Sequence, residues 1–402
     1  MGKLNVFIST LLIFYVINIF ASSKPAVQDR HEKLGQDVPI TGNTEQLSYF
    51  LKALKNAKNE KVRIGLWGDS IIEGDVITEN LRDYLQKLFR GNGIGFVSMT
   101  PDDYRMRKTI DQTFSDDWSK ATLFGLNPNN WPIGLNAGVY LPAEGSWVKF
   151  KVSSLSKSMQ SFGNIRMFYR SSINNCDVNY SIDNGKSVKL NLPKKSPVQD
   201  VTINANNAHE IRFNFQNCDS TYFYGVSFEE GNGVYVDNFS IKGNSGIGLN
   251  NISMSTLNDF SKLMNYKLII LSFGLNVLSP VYSDYNWYAE KMIKVVNHFK
   301  EAFPQASILI VSVGDRAIKQ GVNFVSDPEI PLLIKAQKEI AAKTNVAFWN
   351  LFEAMGGKNS IINWVNAGPP LAYRDYAHLS YEGGEVVAKL LSDALLAEFK
   401  KY

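Results

Sequence analysis

A double change of texture along the chain constrains its fold more than any other feature. Strand and helix patterns alternate up to about residue 100, only short alternating segments occur from about 101 to 234, and strands and helices alternate again from 235. In the first stretch, residues 44–57 place Leu47, Phe50, Leu51 and Leu54 at helical spacing behind Thr44, a candidate cap. Residues 62–67 read as a buried strand and 79–90 as a helix. The middle stretch strings WVKFKV, IRMFYR, VNYSI, VKLNL, EIRFNF and YFYGVSF between Asn, Asp, Gly, Ser and Pro turns, the period-two signature of an all-β unit. In the last stretch 267–273, 307–313 and 347–351 read as strands, and 285–303, 330–343 and 382–400 as helices. Strands alternating with helices imply a mostly parallel sheet, and a strand–helix–strand unit needs only about 30 residues. One α/β domain, 44–100 and 235–402, is therefore expected to be interrupted early by an inserted β module at 101–234.

The ends and the bulk composition bound the cellular setting. Lys3, an apolar stretch from Val6 to Phe20 and the small residues Ala21, Ser22 and Ser23 have the layout of a signal peptide at 1–23. The apolar stretch is broken by Ser9, Thr10 and Asn18 and is shorter than the roughly 20 residues a spanning helix needs. The expectation is an exported protein, periplasmic or extracellular, with no transmembrane span after cleavage and a linker at 24–43. Its two cysteines, Cys176 and Cys218, lie in the β region. Export would permit a disulfide between them; two buried thiols are the alternative. A formal charge of +4 over 402 residues, with basic and acidic residues interspersed, leaves no electrostatic footprint for nucleic acid. No His pair or acidic cluster stands at metal-ligand spacing, and neither a Walker loop nor a dinucleotide glycine fingerprint occurs. No metal and no cofactor is therefore expected.

The chemistry is sought at strand ends, because open α/β sheets place ligands outside the carboxyl ends of their strands. Gly68-Asp69-Ser70 follows the first strand, Gly243-Asn244-Ser245-Gly246 follows the strand-like 235–241, and Gly274-Leu275-Asn276 follows 267–273. A serine nucleophile needs a base, and the base needs a group that fixes its tautomer. Only four histidines exist. His31 falls in the expected linker, His209 in the β module and His298 within a helix, whereas His378 follows Asp375 by three residues just before the last helix. An oxyanion hole could draw on the Ser70 and Gly246 amides and the Asn276 side chain. No Gly-x-Ser-x-Gly elbow is present, which argues against the α/β-hydrolase route.

These four blocks in this order resemble those of the SGNH/GDSL hydrolase superfamily, over residues 44–100 and 235–402. The resemblance implies a flavodoxin-like three-layer sandwich, with Ser70 as nucleophile and first oxyanion donor. It makes Gly246 and Asn276 the other donors, His378 the base and Asp375 its orienting carboxylate. Tyr222-Phe-Tyr-Gly-Val-Ser-Phe, the 234–246 stretch, and Met355-Gly-Gly with Trp364 are similar to the secreted peptidoglycan O-acetylesterases of that group, whose catalytic domain is interrupted by a carbohydrate-binding-like, jelly-roll β module. Val277 and Ile71 depart from residues common among relatives without touching the chemistry. The implied activity is removal of O-acetyl groups from a polysaccharide, peptidoglycan first, by a monomer. An acetyl-xylan or other glycan esterase, a polysaccharide O-acetyltransferase and a catalytically silent glycan-binding protein are the alternatives. Trp364, Tyr285 and Trp287 are candidate sugar-stacking residues.

Overall fold

The computed structural model describes residues 34–171, 175–282 and 284–402; the expected signal peptide and His31 lie outside them. In chain order the first elements are β1 (Thr41–Gly42), α1 (Ser48–Lys55), β2 (Lys61–Gly68), α2 (Thr78–Phe89) and β3 (Asn92–Ser98). The β-rich stretch continues with β4 (Ile110–Phe114), β5 (Ser119–Thr122), β6 (Gly138–Leu141), β7 (Trp147–Val152), β8 (Phe162–Ser171), β9 (Cys176–Ile182), β10 (Val188–Leu192), β11 (Lys195–Ala208), β12 (Glu210–Gln216) and β13 (Thr221–Glu230). Then follow β14 (Gly233–Ser240), α3 (Met254–Met264), β15 (Tyr266–Ser272), α4 (Asn286–Ala302), β16 (Ser307–Val311), β17 (Ala317–Gln320), β18 (Asn323–Ser326), α5 (Ile330–Thr344), β19 (Ala347–Trp349), α6 (Leu351–Ala354), α7 (Ser360–Val365) and α8 (Tyr381–Lys401).

The central sheet runs β1-β19-β16-β15-β2-β14. Every pairing in it is parallel except that of the edge strand β1 with β19. Its middle strands are near-continuous apolar runs, and β16 (SILIV) is buried at every residue. Such runs arise where helices cover both faces of a parallel sheet. The expected linker is corrected at its carboxyl end. Residues 34–43 are packed on the domain, with β1 in the sheet and the Leu34 and Val38 carbonyls accepting the indole N–H groups of Trp364 and Trp349.

The insert is a pair of antiparallel sheets, β10-β9-β12-β7-β4 and β11-β8-β13-β6-β5. A separate apolar core lies between them, built from residues such as Phe150, Phe213, Met167 and Phe228. Strand β3 pairs with β13, so the β unit starts before the expected boundary at 101. The disulfide Cys176–Cys218 joins the start of β9 to the turn that follows β12. The other face of the inner sheet joins the main core through Phe96, Leu135, Phe168 and Tyr224. Buried charge also crosses this junction: Arg63 on β2 binds Glu229 on β13 at 2.8 Å and Asp237 on β14 at 3.0 Å. Among the described residues no helix is long and apolar enough to cross a membrane.

Candidate active site

Ser70 stands where β2 ends. Asp69 caps the short 3-10 turn Ser70–Asp75 by accepting the Ile71 N–H at 3.1 Å, the usual job of an Asp at a helix start. At 2.8 Å, Ser70 Oγ lies within hydrogen-bond reach of His378 Nε2. The other ring nitrogen, Nδ1, is 2.8 Å from Asp375 Oδ2, while Asp375 Oδ1 accepts the backbone N–H groups of Ala377 and His378 at 3.0 Å each. Partial burial pushes the Asp375 carboxyl up, but the hydrogen bonds from His378 and Ala377 outweigh it and hold the group below the ordinary carboxylate range. An ionised Asp375 accepts from Nδ1, which leaves Nε2 free to take a proton from Ser70.

The strand-end loops converge on the same place. Asp69 Oδ2 accepts the N–H groups of Gly274 and Leu275 at 3.1 and 3.2 Å, fixing the loop that carries Asn276. Burial drives the Asp69 carboxyl up to about 6, with the three amides opposing it. On its carbonyl side the loop is held by Arg316, which donates to Leu275 O and Leu278 O while paired with Asp327. Asn276 Nδ2 donates to Asn244 O at 3.1 Å, which ties this loop to the one bearing Gly246. Gly246 has φ +85°, and a Cβ there would come within 2.7 Å of the Phe273 ring, so both conformation and space call for glycine. Its N–H is taken by Asn244 Oδ1 at 2.8 Å. Offering it to an oxyanion requires the Asn244 carboxamide to turn away.

The structure thus brings Ser70, His378 and Asp375 into one hydrogen-bonded line and sets the Gly246 and Asn276 loops against each other. Two stacking candidates are corrected. Trp364 is fully buried with its N–H on Leu34 O and Met355 O. The Tyr285 ring is buried too, and its hydroxyl anchors Ser279, three residues past Asn276. Both are packing residues. Trp287 is half-buried and lies against Tyr282 and Tyr288. Asp69, Asn244 and Arg316 were not singled out by the sequence pattern. An acidic residue beside Ser70 carried that signal for Asp69, whereas the partners of Asn244 and Arg316 are too distant in sequence to be read.

No protein-family model and no curated protein sequence matches the chain. Among solved structures, one described as "Peptidoglycan O-acetylesterase in action, 5 min" superimposes with a TM-score of 0.72 at 21% identity, covering 92% of this chain and 100% of that one. This chain shares that fold. A family two carbohydrate esterase from Cellvibrio japonicus (TM-score 0.29, 12% identity, 72% of this chain and 98% of that one) is a far looser likeness. So is an acetyl xylan esterase (TM-score 0.31, 16% identity, 40% and 81%). At such scores neither adds to the assignment.

Proposed function

We propose that this protein is an exported serine esterase that removes O-acetyl groups from a polysaccharide, peptidoglycan being the first candidate. The observation that carries this reading is the line from Ser70 Oγ through His378 to Asp375, with 2.8 Å at both links. His378 Nε2 takes the Ser70 proton as Oγ attacks the acetyl carbonyl, and the imidazolium formed is stabilised by Asp375. Negative charge on the former carbonyl oxygen is met by the Ser70 amide, the Asn276 side chain and, once Asn244 turns, the Gly246 amide. Collapse expels the sugar hydroxyl, protonated by His378, and leaves an acetyl on Ser70. Water activated by the same histidine then releases acetate. The shared fold and the disulfide, which suits an oxidising compartment, support the substrate class and the export.

The test is acetate release from a panel of O-acetylated glycans, peptidoglycan and xylan included. Ser70→Ala is expected to lose at least about a thousandfold in rate, as loss of the nucleophile does in serine hydrolases, while keeping its melting temperature within a few degrees. A folded variant with more than a few per cent of wild-type activity would rule the serine route out.

A further inference from the structure

A second concave site lies beside the Gly246 loop. A cleft of about 540 Å³ opens between the β module and the catalytic domain, and Trp131, Tyr222, Arg170, Asn251 and Ser253 contribute to its lining. Tyr222 and Arg170 are direct cross-strand partners in the β13–β8 pair, so their side chains leave the sheet on the same face. The Trp131 ring packs on Tyr222 with centroids 5.6 Å apart. Its loop is pinned on both sides, since the Asn127 side chain accepts the Trp131 N–H at 2.8 Å and donates to the Trp131 carbonyl at 3.0 Å. All three side chains are half-buried, each keeping a face to solvent. Among the described residues no Asp or Glu forms an ion pair with Arg170, whose guanidinium touches only neutral groups there, the Ser196 hydroxyl at 3.4 Å and the buried Tyr224 hydroxyl.

A guanidinium without a carboxylate partner, set beside two held aromatic rings and bordered by amides and hydroxyls, matches one kind of ligand. The fork of N–H donors suits a carboxylate, and the rings suit the apolar face of a sugar. The cleft is also within reach of the chemistry. Asn251, on its rim, ends the 3-10 turn Ile247–Asn251 that begins directly after Gly246, and five residues at about 2 Å rise place it roughly 10 Å from that glycine.

We infer that this cleft is a saccharide subsite in which Arg170 takes a carboxylate carried by the substrate chain while Trp131 and Tyr222 stack on a sugar ring. It deepens the esterase reading and rests on it for the nature of the chain. The carboxylate could sit on the sugar itself, as a lactyl ether or a uronic acid, or on an attached peptide; the chemistry recognised is shared.

Binding to the full-length Ser70→Ala protein tests the subsite by calorimetric titration with four probes. These are peptide-free peptidoglycan glycan strands, the same strands with their carboxylates converted to amides, the free stem peptide, and a neutral xylo-oligosaccharide. The acidic strands are expected to bind at least about tenfold more tightly than the amidated ones. Adding Arg170→Gln should bring the two within about twofold, Arg170→Lys should keep part of the preference, and Trp131→Ala should weaken both strands and the xylo-oligosaccharide. Arg170-dependent binding of the peptide, with none for the acidic strands, would put the carboxylate on the peptide and still support the site. Equal binding of acidic and amidated strands without peptide binding, or a preference that survives Arg170→Gln, would overturn it. Acetate release by the wild-type enzyme is scored separately: release without carboxylate preference removes the subsite alone, and carboxylate preference without release removes the esterase reading alone.

Discussion

Asp69 carries an unusual load for a residue next to Ser70, the proposed nucleophile. Its two oxygens hold three backbone amides, and burial places its ionisation at about 6 instead of near 3.8. Between those values the folded protein binds a proton that the unfolded chain does not. The stabilisation by that proton is therefore complete below about 3.8 and lost as the pH rises through about 6, a change of roughly 3 kcal/mol at about 1.4 kcal/mol per pH unit. Asp69→Asn cannot make this titration. Relative to the variant, the wild type is expected to lose roughly that amount of unfolding free energy between pH 4 and pH 7, measured by urea denaturation; a constant difference would show that Asp69 titrates as an ordinary carboxyl. Asn276 gives a second expectation at this scale. Its side-chain N–H is held by Asn244 O and, as a proposed oxyanion donor, would act mainly on the charged intermediate. Asn276→Ala should thus cut kcat by about 10²–10³ with little change in KM, and an effect confined to KM would make it a substrate-binding residue.

At the level of elements, the β17–β18 hairpin braces both halves of the site. Arg316 and Asp327 at its base hold the Leu275–Leu278 carbonyls. Farther out, Phe324 stacks on Tyr376 at 3.9 Å, and the Ala317 N–H binds Tyr376 O at 2.9 Å. Tyr376 lies between Asp375 and His378 with φ +55°, a conformation a bulky residue keeps only when its surroundings impose it. Phe324→Ala removes a ring pair worth about 0.5–1.5 kcal/mol. If that energy holds the loop in its working shape, kcat falls by up to about tenfold, whereas unchanged kcat with a lower melting temperature would mean the hairpin only stabilises. This brace was not legible in the sequence: Ala317–Gln320 and Asn323–Ser326 are short and mostly exposed, so they show no apolar period. By contrast, the strands and helices that carry Ser70, Asn276 and His378 were legible because their apolar periods are long and their ends are marked by Gly, Asp or Ser. Trp364 and Tyr285 were misjudged for a related reason, since aromatic identity does not say whether a ring faces the cleft or the core. The early start of the β unit escaped notice because β3 pairs with β13, well over a hundred residues later.

Across the whole molecule, the β module and the α/β domain share structure too closely to be separate folding units. The inner module sheet packs into the main core, and the Trp67 indole on β2 donates to Leu135 O in the module. The buried Arg63 is caught between Glu229 and Asp237. Deleting 101–234 would uncover that core and strip Arg63 of a partner, so the truncated chain is expected not to fold, and calorimetry of the intact protein should show one transition. Burial pushes the Glu229 carboxyl up, but Arg63, Arg166 and Lys61 outweigh it and bring it to about 2, against an ordinary 4.5. A depressed carboxyl stabilises the fold above its unfolded value and loses that contribution as the pH falls toward its folded one. The pairing should therefore contribute about 3 kcal/mol at pH 7, of which about half is gone by pH 3. Arg63→Ala leaves the buried Asp237 carboxylate without its cation and Glu229 with only Arg166 and Lys61, and should cost about 3–5 kcal/mol at pH 7. Because Glu229 then protonates more readily, the gap between wild type and variant should narrow as the pH falls from 7 to 3. Urea denaturation at the two pH values measures both quantities. A gap that stays constant would mean that Arg63 acts through packing alone and that charge does not hold the module to the α/β domain.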